Sequence, residues 1–173
     1  MSYNMNTGAL TEIAPPAYTG VNSSLAFGIS GNGSYIAGTS GNSSQPYIWS
    51  ATSGMNVVPL PAGTSTAGLR SVNDAGWAVG TAGGRYAAPF LYANGTTYTL
   101  ANQITNLGDW NFTTTTSAAS MGIDDNGDIT GWAMLDGTAH AYLLTPVPEP
   151  SSYALMLGGL LAVGGVARRR RRA

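Results

Sequence analysis

Three stretches of the chain repeat one another, and this repetition limits the fold more than any other feature. "AFGISGNGSYIAGTS" from Ala26, "LRSVNDAGWAVGTA" from Leu69 and "SMGIDDNGDITGWA" from Ser120 each carry a β-branched residue: Ile29, Val72 and Ile123. A glycine follows four residues later (Gly33, Gly76, Gly127), and a second comes shortly after (Gly38, Gly80, Gly131). Each stretch then leads to an apolar patch, "PYIW" at Pro46, "PFLY" at Pro89 and "AYLL" at Ala141. The first two repeats close with "GMNVVPL" from Gly54 and "GTTYTL" from Gly95. Ile29 and Val72 are 43 residues apart, whereas Val72 and Ile123 are 51 apart. The extra eight fall in an inserted loop, Ala101 to Ala119.

Short runs of β-branched and aromatic residues between Gly, Asn, Asp and Ser clusters read as strands. "NDAG" and "DDNG" read as hairpin turns, because Asn and Asp bond their own backbone and Gly supplies positive φ. Four such strands in about 43 residues make one blade of a β-propeller. The expectation is therefore an all-β body, residues 1–144, of three four-stranded, β-propeller-like repeats at about 26–68, 69–119 and 120–144. The third repeat lacks a closing strand after "AYLL", and "GALTEI" at 8–13 resembles it. That N-terminal strand is expected to complete the last blade. Three blades are fewer than the usual four to eight. Either the ring closes in a three-fold form or the chain is a fragment of a longer array. The fragment is preferred, because "MSYNMNTGALTEIAPP" also lacks the basic and apolar regions of a signal peptide. The gene is expected to begin upstream.

Charge removes one class of function. Only 9% of residues are charged, with no lysine and no cysteine. Five of the seven basic residues are Arg168 to Arg172, so residues 1–150 hold Arg70 and Arg85 against eight acids, a net −6. Such a body offers almost nothing to neutralise phosphates, so no nucleic-acid partner is expected.

Catalytic and metal chemistry find little support. His140 is the only histidine, and with no cysteine a His/Cys metal site is excluded. A serine triad would have to use His140, yet no G-x-S-x-G elbow is present. "DDNGD" (Asp124, Asp125, Asn126, Asp128) lacks the glycine and twelfth-position glutamate of an EF-hand loop. It reads better as an Asx-type turn. No catalytic residue, metal or cofactor is assigned, and the chain is not expected to be an enzyme. Tyr47, Trp49, Phe90, Tyr92 and Tyr142 fall in the repeated strand and read as core. Trp77, Trp110 and Trp132 lie at or beside turns and are the candidate ligand platform, where sugars would stack, although packing between blades is the commoner use of such residues.

The C-terminus is of another kind. Residues 145–152 are expected to form a Pro-rich linker, and 153–173 a hydrophobic transmembrane helix ending in an arginine-rich tail. From Tyr153 to Ala167 the chain carries no charge. As a helix it would be about 22 Å long, short of a hydrocarbon core of about 30 Å unless flanking residues contribute. Arg168, Arg169, Arg170, Arg171 and Arg172 behind it read as a stop-transfer flank that stays cytoplasmic.

"VPEPSS", an apolar helix and a terminal arginine cluster together resemble the PEP-CTERM sorting signal of Gram-negative bacteria. The resemblance covers Val147 to Ala173. It implies recognition by exosortase, a membrane-embedded processing enzyme. Val147, Pro148, Glu149 and Pro150 would be the sorting motif, and Arg168 to Arg172 the retention cluster. The body resembles the HAF repeat family through "SVNDAGWAVG", "PYIW", "GMNVVPL" and "HAYLLTPVPEP". That implies a propeller-like extracellular protein of the cell surface or matrix, with exopolysaccharide as a candidate partner. The expected route is export, transient anchoring in the inner membrane, then release to the surface. Two alternatives are kept: a permanently anchored, periplasm-facing protein, and a carbohydrate-binding or carbohydrate-active propeller.

Overall fold

A computed structural model describes residues 2–3, 5–11, 13, 23–41, 45–83, 88–113 and 118–147. Among them the protein is all-β, with three four-stranded antiparallel sheets and a two-stranded hairpin. The hairpin pairs β1 (Ser2–Tyr3) with β2 (Leu10–Thr11). Sheet one runs β3 (Ser24–Ile29), β4 (Ile36–Ser40), β5 (Gln45–Ser50) and β6 (Gly54–Val57). Sheet two repeats this meander with β7 (Ala67–Val72), β8 (Ala78–Ala82), β9 (Ala88–Ala93) and β10 (Thr96–Thr99). A 3₁₀ turn, Leu100–Gln103, and β11 (Trp110–Asn111) follow. Sheet three contains β12 (Ala119–Ile123), β13 (Ile129–Leu135) and β14 (Thr138–Leu144), with β11 as its fourth strand.

The repeat is one of register as well as sequence. Gly38, Gly80 and Gly131 stand opposite Ala26, Leu69 and Ser120 on the first strand of each sheet. On the other side they face Tyr47, Phe90 and Tyr142 on the third. The first strand then bulges at the same place, skipping Phe27, Arg70 and Met121. A bulge bends the strand and brings its backbone over the neighbour. An added Cβ at any of these three glycines would overlap the carbonyl oxygen of Leu25, Gly68 or Ala119. The second glycine of the motif is therefore required by close backbone approach.

The turns follow the Asx pattern. Asn73 Oδ1 accepts from Ala75 N (3.1 Å) and Trp77 N (2.9 Å), and Asp124 Oδ1 accepts from Asn126 N (2.9 Å) and Asp128 N (2.8 Å). Successive turns are also linked: Asn32 N donates to Asp74 Oδ1 (2.9 Å), and Asp74 N donates to Asp125 Oδ1 (2.8 Å). "DDNGD" thus bonds its own backbone and that of the preceding repeat.

The sheets pack in sequence order. Ala37, Ile48 and Val58 of the first repeat meet Leu69, Val72 and Phe90 of the second. Val79 of the second meets Leu100, Phe112, Ile129 and Tyr142. The expected core aromatics Tyr47, Trp49, Phe90 and Tyr142 are buried, and Tyr92 is half-buried. Among the described residues the sheets form an open succession, with no closed ring.

One expectation is overturned. The N-terminal strand does not complete the last sheet: Leu10 and Thr11 pair with Tyr3 and Ser2. Ile13 packs on Tyr47 and Trp49, and its carbonyl accepts from Ser24 Oγ at 3.0 Å. A hairpin closes a loop of a few residues, which costs far less chain entropy than reaching a strand some 130 residues away. Sheet three takes its fourth strand from the inserted loop instead, Trp110 opposite Leu135 and Asn111 opposite Met134.

Two equivalent tyrosines differ in a way that predicts opposite mutational signs. The Tyr142 hydroxyl donates to the Ala119 carbonyl (3.0 Å) and pairs with Ser120 Oγ (2.9 Å). Ala26 stands where Ser120 would be for Tyr47, whose buried hydroxyl has no partner among the described residues. Tyr142→Phe strands the fully buried Ser120 hydroxyl and is expected to cost about 1–3 kcal/mol. Tyr47→Phe is expected to be neutral or stabilising by up to about 1 kcal/mol, since Phe90 fills the same place in sheet two. Urea unfolding of both variants checks the pair.

Candidate functional site

The candidate site is the point where the repeat body hands over to its C-terminal segment. β14 ends at Leu144, and Thr145, Pro146 and Val147 continue from it, all exposed. Trp77 and Pro146 flank Gly127: an added Cβ there would lie 3.3 Å from the indole and 3.1 Å from the proline ring. Gly127 has φ +85°, so the turn that receives the linker needs glycine for both conformation and space. The hand-over is therefore built by two repeats, the turn of sheet two supplying Trp77 and that of sheet three supplying Gly127.

Of the sorting residues, Val147 is described and 77% exposed. Pro148, Glu149, Pro150 and the cluster Arg168 to Arg172 lie outside the described residues, as does the expected helix. Among the described residues no helix is long and apolar enough to cross a membrane.

The three tryptophans occupy separate surroundings. Trp77 Nε1 donates to Asn94 Oδ1 at 3.3 Å, and its ring lines a cavity of about 520 Å³ with Asn94, Gln103 and Thr105. Trp110 packs at 6.1 Å from Phe112 and 6.2 Å from His140, on a second cavity of about 260 Å³. Trp132 is half-buried in β13. Trp110 shares the face of Leu135, three residues from Trp132, so alternation puts Trp110 and Trp132 on opposite faces of sheet three. The two cavities share Ile104 and Leu144, so they adjoin along the end of β14. Sequence reasoning overlooked this groove, because the residues that wall it, Ile104 and Leu107, sit in a loop without periodicity.

The His140 side chain is exposed, edge-on to Trp110, and makes no hydrogen bond among the described residues. No group of three or more metal-binding side chains occurs among the described residues. Among the described residues the one large pKa shift belongs to Tyr142, whose phenol is pushed up to about 12 by burial, partly offset by the Ser120 bond. The folded state thus holds the proton more tightly than the unfolded one, whose phenol ionises near 10. Its contribution is fully present below pH 10 and is lost as pH rises through about 12. Alkaline unfolding is expected to coincide with Tyr142 ionisation, and ultraviolet phenolate absorbance followed beside circular dichroism checks this. In Tyr142→Phe the coincident phenolate step disappears.

Residues 146–172 match the family model of the PEP-CTERM protein-sorting motif. A motif of this kind implies export and processing by exosortase at the membrane. No curated protein and no solved structure matches the chain.

Proposed function

We propose that this chain is an exported, non-enzymatic β-repeat protein, cleaved by exosortase and delivered to the cell surface or an exopolysaccharide matrix. The observation that carries the reading is the junction itself. The last strand ends at Leu144 and the sorting motif begins at residue 146, so one folded unit is joined directly to one sorting device. The apolar segment halts export, the arginines stay cytoplasmic and the repeats face the periplasm. Each proline of "TPVPEPSS" disfavours helix in the residue before it, which suits a strip that an enzyme must reach. Cutting there frees an acidic body from a cationic stub. The body is read as a propeller-like array of the HAF type, presenting uncharged faces outside the cell.

The test is transplantation. Residues 145–173 fused to an exported reporter are expected to yield a shortened, released reporter in cells with exosortase and a full-length, membrane-held one without it. Equal retention in both would favour the permanently anchored protein. A second reading draws on Trp77, whose cavity combines an indole with the amides of Asn94 and Gln103, a combination suited to a sugar ring. Polysaccharide binding that survives Trp77→Ala argues against it.

A further inference from the structure

We propose that the free edge of β14 is a binding site for an extended peptide, taken up as an added strand of sheet three. In sheets one and two the third strand is paired on both edges, β5 by β4 and β6, and β9 by β8 and β10. β14 holds the same place in sheet three, and among the described residues it pairs only with β13. β11 does not fill the gap, because it lies beside β12 on the far side of β13. Among the described residues the position of β6 and β10 is therefore open in the third sheet.

The edge is armed for pairing. Asp136 and Gly137 both have positive φ (49° and 78°) and form a two-residue turn. Such a turn makes Leu135 and Thr138 the first hydrogen-bonded pair. Alternation from there gives the backbone groups of His140 and Tyr142 to β13, and turns those of Ala139, Ala141 and Leu143 outward. Exposed edges are normally blunted by lysine, proline or a bulge. β14 has none of these along its seven residues.

A groove follows the edge. Four consecutive residues, Ala141 to Leu144, line the cavity of about 260 Å³. Successive side chains of a strand point to opposite faces, so four in a row place the cavity at the strand's side. Ile104, Asn106 and Leu107 of the preceding loop, with Trp110 and Phe112 over the sheet face, complete its mainly apolar lining, and no charged residue lines it. Main-chain groups on one side and apolar side chains on the other select an extended, uncharged peptide with β-branched or aromatic residues. The "TTYT" of β10 is the chain's own example of a strand held in the equivalent place.

The test uses the full chain in detergent micelles and a blocked synthetic peptide with the sequence of residues 95–101. Hydrogen exchange is followed amide by amide. Peptide is expected to slow exchange at Ala139, Ala141 and Leu143 by about tenfold or more, with His140 and Tyr142 unchanged. Ala141→Pro removes one outward N–H, leaves the ladder with β13 intact, and is expected to abolish the protection. Should that variant not fold, Leu143→Lys tests the same edge with a charge at an exposed position. Unchanged exchange at the three amides under saturating peptide overturns the proposal. So does protection already present in the free monomer, which means the chain fills its own slot. Protection that rises with protein concentration alone puts a second copy there and equally overturns it.

Discussion

Replacing Pro148, Glu149 and Pro150 together by alanine is expected to leave the protein full length and held in the inner membrane. Each proline disfavours helix in the residue before it. Alanine is the best helix former, so the triple substitution favours helix where the prolines oppose it. It also removes the one acid of the strip, and a processing enzyme that reads an extended acidic motif then has nothing to grip. Deleting Arg168 to Arg172 is expected to fail differently. The motif stays intact, but the basic flank proposed to stay cytoplasmic and fix orientation is gone. The chain should then be drawn through the membrane without being cut. Immunoblots of membrane, periplasmic and released fractions separate the two outcomes. Normal processing of the alanine variant would remove the motif from the account.

The largest effect on folding is expected at Gly80. A Cβ there overlaps the Gly68 carbonyl and crowds the Leu69 Cα at 2.8 Å, both backbone atoms that no rotamer change can move aside. Overpacking typically costs about 1–3 kcal/mol, and with backbone on the receiving side about 3 kcal/mol or more is expected for Gly80→Ala. Against a domain stability of about 5–15 kcal/mol that is a large share. Gly63→Ala is the control. It has φ +77° but open space around it, so only the backbone penalty of about 1–2 kcal/mol applies. Chemical denaturation of the two variants should give clearly separated midpoints, and equal losses would mean that the close approach at Gly80 relaxes freely.

That contrast also shows what was readable in advance. The spacing of Gly38, Gly80 and Gly131 marked the repeats, and each glycine has a steric reason that recurs in the same register. The strands of sheets one and two, the hairpin turns and the buried aromatics were legible because burial imposes a period and turns need particular residues. The bulges at Phe27, Arg70 and Met121 were not, since three exposed residues of unlike chemistry fill them, Arg70 lying 4.5 Å over the Phe27 ring. Nor was the choice of extra strand. Ser2–Tyr3 and Trp110–Asn111 are two residues each, too short to carry a pattern that shows where they pair. Of the candidate site, the sorting motif was legible from the order of its parts, and the family model matches residues 146–172. The docking of Pro146 against Gly127 and Trp77 was not, because it joins two repeats 50 residues apart through a turn whose sequence looks merely local.

The account stands on the fate of the tail. Mass spectrometry of the native C-terminus, taken separately from cell-surface and inner-membrane fractions, tests it most directly. A surface form ending within residues 148–152, with the intact chain confined to the membrane, is the predicted result. A protein found only in the membrane and still carrying Arg168 to Arg172 would contradict it and make the segment a permanent anchor.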